Sequence, residues 1–135
     1  MRRRWQLAEI GAVILETAGV FIAVGGLYDL LMPHLPPNLT AICAGNVLVE
    51  RLVRELLRAL GGALVAVGTT TSVLVAMCGR PLSHFVLILT LVLVLPAEGV
   101  NALGMYRVKS PYQIPLAFVA LALIGVLLSW PRALR

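Results

Sequence analysis

Residues 7–31 read LAEIGAVILETAGVFIAVGGLYDLL. A helical crossing of the bilayer core needs roughly 20 predominantly apolar residues, and this stretch supplies them before Pro33, Pro36 and Pro37 remove backbone donors and restrict the chain. Ala8, Ala12, Glu16, Gly19, Ala23 and Gly26 recur at spacings of three or four, so they trace one helix face. A face of small residues lets another backbone approach closely. Glu16 stands inside it. At about 1.5 Å per residue it lies near the bilayer centre, where an acid is costly and rarely faces lipid. Glu16 is therefore expected to point into a helix interface.

Three more apolar runs follow, Ala59–Met77, Leu82–Ala102 and Ile114–Trp130, and the four together use most of the 135 residues. The chain is 60% hydrophobic and 13% charged, against about 25% charged residues in a soluble domain. Its mean hydropathy is +0.97. These features predict an all-α integral membrane protein: a four-transmembrane-helix bundle with short loops, forming a single membrane-embedded domain over residues 1–135. The signal-peptide-like start, Arg2–Arg4 before an apolar run, is read as a retained first helix, because Glu9 and Glu16 interrupt the run and no A-x-A site follows.

The second span has an unusual start. Arg51, Arg54, Glu55 and Arg58 follow i, i+3, i+4, i+7 spacing and share a face, with Leu52, Val53, Leu56 and Leu60 as apolar neighbours. This reads as an amphipathic interfacial extension before the second span, with Glu50–Arg54 and Arg51–Glu55 spaced to pair along the helix. Gly61, Gly62 and Gly68 and the run Thr69-Thr70-Thr71-Ser72 then permit close helix contact and side-chain hydrogen bonding. Gly79-Arg80-Pro81 reads as a tight turn that makes spans two and three antiparallel neighbours. Pro96 is expected to kink span three, and Pro115 fits the first turn of span four. Pro33–Gly45 is the longest connection. It holds the sequon Asn38-Leu39-Thr40, a three-residue match with little information.

The net charge of +5 sits mainly at span ends, at Arg2–Arg4, Arg80, Arg107, Lys109, Arg132 and Arg135. That is a topology and headgroup pattern. No basic stripe interleaved with aromatics is present to bind nucleic acid. Four crossings put both termini on one side, and the three leading arginines favour the cytoplasmic side of a bacterial cytoplasmic membrane. Cys43 and Cys78 fall near opposite faces, so no disulfide is expected between them. His34 and His84 are likewise separated by about a membrane thickness. No catalytic constellation, metal motif or phosphate-binding glycine loop is present, and no cofactor is expected.

Two sets of polar residues are candidate sites. The first is the intramembrane acid Glu16, with Thr69, Thr70, Thr71 and Thr90 at similar depth as hydroxyl donors. No basic side chain lies at that depth, so no intrachain salt bridge is expected there. The second gathers at the far end of the bundle: Tyr28 and Asp29 from span one, Arg54 and Arg58 before span two, Glu98 and Asn101 in span three. Antiparallel packing brings them to one interface, with Asp29–Arg58 and Glu98–Arg58 as the expected pairs. Such a cluster either caps the bundle and fixes helix order or forms a headgroup, quinone or small-polar-ligand site.

Gly25-Gly26-Leu27-Tyr28-Asp29-Leu30-Leu31-Met32-Pro33 resembles the glycine-containing first helix, ending at proline, of small four-helix bacterial membrane proteins of the broad DoxX-like kind. Glu55-Leu56-Leu57-Arg58-Ala59-Leu60-Gly61-Gly62 resembles the charged start of their glycine-rich second helix. The resemblance covers most of the chain and implies architecture rather than activity. Small multidrug transporters offer a second comparison: Glu16 is similar in placement to their first-helix glutamate. The spans here lack that family's aromatic wall, and the charged start of span two is foreign to it.

The leading expectation is a non-enzymatic integral membrane subunit or small scaffold. It would bind membrane lipids, other membrane subunits or further copies of itself through glycine-rich helix faces. The alternatives are a small proton-coupled transporter using Glu16 and an enzyme acting on a lipid or isoprenoid around Asp29, Arg58 and Glu98.

Overall fold

The computed structural model describes residues 2–78 and 81–130, with side chains from Trp5 onward. The expectations placed on Arg80, Arg132 and Arg135, on the side chains of Arg2–Arg4 and on the Gly79-Arg80 turn lie outside the described residues. Five helices follow in order: α1 (Arg2–Leu31), α2 (Pro37–Cys43), α3 (Val47–Met77), α4 (His84–Arg107) and α5 (Gln113–Ser129). The described residues contain no strand.

Local chemistry explains the boundaries. α1 runs 30 residues and stops before Pro33. α3 begins after Asn46, whose Oδ1 accepts from the amides of Leu48 at 3.1 Å and Val49 at 3.3 Å, the arrangement that satisfies orphan donors at a helix start. α4 is capped the same way by Ser83, whose Oγ accepts from the Val86 amide at 3.3 Å. Pro115 sits in the first turn of α5, where its missing donor costs nothing. Pro96 lies inside α4, which continues through it.

The long connection after Pro33 differs from the expected loop. Pro36 and Pro37 initiate the seven-residue α2, since proline is pre-organised for a first helical turn. Ala44 closes that helix in the left-handed region, φ 51°.

Three helices are long and apolar enough to cross a membrane: Trp5–Leu31, Val47–Met77 and His84–Arg107, with mean hydropathies of 2.0, 1.7 and 2.1. Gln113–Ser129 is apolar and shorter, at 17 residues. Apolar side chains face outward on all four long helices, among them Val24, Val73, Val92 and Leu127.

α1 packs most extensively on α3 and then on α5, α4 packs on α5 and more lightly on α3, and α2 touches α3. The four long helices thus form a closed ring. Spans two and three are neighbours, as α3 and α4, but α1 makes the larger contacts. Its small face explains this. A Cβ on Gly26 would lie 2.6 Å from the Gly61 carbonyl oxygen, and one on Gly19 would lie 2.8 Å from that of Gly68. On the other flank, a Cβ on Gly11 would lie 2.7 Å from the Gly125 oxygen. No side chain fits at these crossings, so backbones meet directly. Leu15, Ile22, Val75, Leu87, Val94 and Ala122 fill the centre.

Candidate functional site

The far end of the bundle carries the denser set of polar groups. Glu98 on α4 is 1% exposed, and Asn101, one turn on, donates from Nδ2 to Glu98 Oε2 at 3.3 Å. An i, i+3 spacing puts the two on one face of the helix, and that face turns inward. Asp29 is half-buried near the end of α1. Tyr28 is next to it in sequence but points outward and is exposed.

The arginines behave differently from the expected pairing. Arg58 Nη1 pairs with Glu55 Oε1 on its own helix at 3.0 Å, and both side chains are largely exposed. Among the described residues neither Asp29–Arg58 nor Glu98–Arg58 forms an ion pair, so the expected pairs give way to a local one. The reason is geometric: Glu55 is three residues away on the same helix face, whereas reaching Glu98 would pull a guanidinium into an apolar interior at a desolvation cost. Glu50–Arg54 and Arg51–Glu55 are also replaced by this i, i+3 pair. Arg54 is half-buried, and its Nε is buried with no hydrogen-bond partner.

Asn38 joins the same end and was read from sequence only as a sequon. Its Nδ2 donates to the Val108 carbonyl at 3.1 Å and to Ser110 Oγ at 2.7 Å. The amide nitrogen a glycan would need is engaged in tying α2 to the α4–α5 connection. No local signal in the sequence announces this contact, which spans about 70 residues.

The mid-depth set is not one cluster. Glu16 is half-buried, on the side of α1 that borders α3, and its main-chain carbonyl accepts from Ser72 Oγ at 3.1 Å. Thr71 and Thr90 are fully buried, and neither hydroxyl has a hydrogen-bond partner. Thr69 is exposed and donates to the Val65 carbonyl of its own helix at 2.6 Å. Thr70 is also exposed. Thr71 and Thr90 therefore do not serve Glu16 as donors. Ser72 reaches α1 instead, and it binds the backbone rather than the carboxylate. A one-residue step rotates a helix by about 100°, so neighbours in Thr69-Thr70-Thr71-Ser72 face different ways.

Cys43 is buried, Cys78 is exposed, and both are free. His84 packs edge-on against Trp130, with ring centroids 5.1 Å apart, while His34 is exposed beyond the other end of α1. Among the described residues no three His, Cys, Asp or Glu side chains come together as a metal site would need. No protein-family model, curated protein or solved structure matches the chain.

Proposed function

We propose that the chain is a non-enzymatic integral membrane subunit or small scaffold of the bacterial cytoplasmic membrane, crossing the bilayer four times with its termini in the cytoplasm. α5 is the fourth crossing. At about 1.5 Å per residue its 17 residues reach about 26 Å, at the lower limit for a hydrocarbon core of about 30 Å. α3 is too long for the core alone, so its charged first turns are the interfacial extension. The DoxX-like resemblance belongs to this proposal, as architecture.

One observation carries the reading. The helices close on each other at backbone contact, through Gly19, Gly26, Gly61 and Gly68 on one flank and Gly11 and Gly125 on the other. Two open grooves, of about 350 and 390 Å³, lie outside the bundle and are lined mainly by apolar residues. A filled interior with apolar outer faces suits a protein that organises its surroundings. Because these glycines are consumed within the chain, lipids and partner subunits would meet the outward apolar surfaces.

Gentle extraction followed by mass analysis of what stays bound tests the reading. A stable set of other membrane proteins is the expected result. Proton-coupled transport by the purified chain alone in liposomes would reject it. The transporter reading has one feature in its favour, two carboxylates within apolar helices, Glu16 and Glu98. On that reading Glu16→Gln abolishes transport. On the scaffold reading Glu16→Gln assembles as the unaltered chain does.

A further inference from the structure

α3 has two contrasting faces. Its buried residues, Gly61, Leu64, Gly68, Thr71 and Val75, turn toward the bundle. On the opposite side a second set is exposed along the whole helix. Val49, Leu52 and Leu56 begin it, Ala59, Ala63, Ala66 and Thr70 continue it, and Val73 and Met77 complete it. The steps between them alternate strictly between three and four. A repeat of 3.5 residues keeps one seam against a neighbouring helix over its full length, because two helices that wrap gently in a left-handed sense stay in contact at that period. The centre of the seam is built of small residues, which let backbones approach closely. Its ends are large and apolar.

α3 is also longer than the bilayer core. Its 31 residues span about 46 Å, about 16 Å more than a hydrocarbon layer of about 30 Å. The register with α1 shows which end projects. A Cβ on Gly26 would meet the Val65 amide at 2.7 Å, and one on Gly61 would meet the Leu30 amide at 2.5 Å. The two helices run antiparallel, so Arg58 comes level with Pro33, and residues 47–57 lie past the end of α1. Val49, Leu52 and Leu56 fall in these turns, 39%, 60% and 60% exposed, where acyl chains do not reach. Lipid tails can cover the seam over residues 59–77 but not here.

We infer that this seam joins two copies of the chain, α3 against α3, about a two-fold axis along the membrane normal. Copies inserted in one orientation bring each seam residue to the depth of its own counterpart, so small centre meets small centre and the projecting leucines meet each other. The partner must carry a helix that projects equally far past the same membrane face, and a second α3 does so by symmetry. It need not carry a matching charge. Glu55, which borders the seam, is held by Arg58 of its own helix at 3.0 Å, so the rim is neutralised within each copy. The two Thr70 hydroxyls fall at one depth, and each can donate or accept. The inference rests on the membrane reading above and adds to it the surface by which copies meet.

The test uses the full chain in lipid vesicles, with Cys43 and Cys78 replaced by alanine. Leu56→Cys is expected to give a covalent dimer on mild oxidation, since facing seam positions come within disulfide reach. Val100→Cys, exposed on the outer face of α4, gives none. The dimer fraction is read by single-molecule photobleaching as the chain is diluted with lipid. Ala63→Trp, at an exposed position, raises the protein density needed for half-dimerisation by about tenfold, as overpacking of a close contact does, while the melting temperature of the single chain in detergent is unchanged. Leu52→Glu with Leu56→Glu weakens the dimer without altering the part of the seam inside the hydrocarbon. A chain that stays single, a dimer without the Leu56→Cys link, or a dimer that neither change weakens overturns the inference. So does cross-linking of Leu56→Cys in the native membrane to a protein of different mass, which would assign the seam to another subunit. Resistance to alkaline extraction is measured in parallel: a chain that stays inserted as a single copy refutes the seam alone, and a chain stripped by alkali refutes the membrane reading with it.

Discussion

The Ser72 hydroxyl of α3 donates across 3.1 Å to the main-chain carbonyl of Glu16 on α1. The bond joins two helices at the crossing where Gly19 faces Gly68, and it uses the carbonyl, leaving the Glu16 carboxylate out of the contact. Ser129 of α5 makes a longer counterpart on the opposite flank, donating to the Ala8 carbonyl at 3.4 Å. α1 is therefore held from both sides by serine hydroxyls that reach its backbone. Ser72→Ala is expected to cost about 0.6 kcal/mol, the average for an interhelical hydrogen bond in a membrane protein. Ser72→Leu should cost more, because Gly19 leaves no room there. Unfolding in mixed detergent measures both, and equal stability of the two variants would contradict the close crossing.

The Gly26–Gly61 contact predicts a large asymmetry among glycines. Gly61→Val places side-chain atoms against the α1 backbone and is expected to destabilise the bundle by about 1–3 kcal/mol, the range for overpacking. Gly99 has nothing within 4 Å of an added Cβ, so Gly99→Ala should stay within about 0.5 kcal/mol of the unaltered chain. Thermal aggregation in detergent, read side by side, compares them.

Arg58 and Glu98 should respond in opposite measure. The Arg58–Glu55 pair is exposed, so Arg58→Ala is expected to change stability by about 0–1 kcal/mol. Glu98→Ala removes the partner of the buried Asn101 amide and opens a cavity, at about 1–3 kcal/mol for the stranded polar group alone. A larger loss from Arg58→Ala than from Glu98→Ala would mean that Arg58 reaches the buried carboxylates after all.

Thr71 and Thr90 bury hydroxyls that have no partner. Valine has nearly the same shape without the stranded group. Thr71→Val and Thr90→Val are therefore expected to leave stability unchanged or raise it by up to about 1 kcal/mol. A clear loss in either variant would show that its hydroxyl is satisfied by water in the membrane.

Topology can be read from the native cysteines. Cys43 precedes α3 and Cys78 caps its end, so the 31 residues between Val47 and Met77 separate them by about 46 Å. In single-cysteine variants, a membrane-impermeant thiol reagent should reach Cys78 from the side carrying the termini and Cys43 only from the other, more slowly because it is buried. Labelling of both from one side would reject a crossing by α3.

The residues alone determined the four long helices, the proline-bounded end of α1 and its small face, because each depends on neighbours within one turn or on the ring chemistry of a single residue; α2 was not among them. Ala8, Ala12, Glu16, Gly19, Ala23 and Gly26 could be placed on one stripe from 3.6-residue periodicity, and Glu98 and Asn101 on another. The partner across each stripe was decided only by the tertiary structure. Gly19 and Gly26 face α3, Gly11 faces α5, and the short α2 is tied to the α4–α5 connection by Asn38. Choice of partner depends on the rotation and register of separate helices, where a one-residue change turns a side chain by about 100°. That is why Ser72 meets α1 while Thr71 is buried unpaired in the centre. Arg58 shows the same limit: several carboxylates were within plausible reach, and the cost of desolvating a guanidinium in an apolar bundle selected Glu55, the nearest and most exposed.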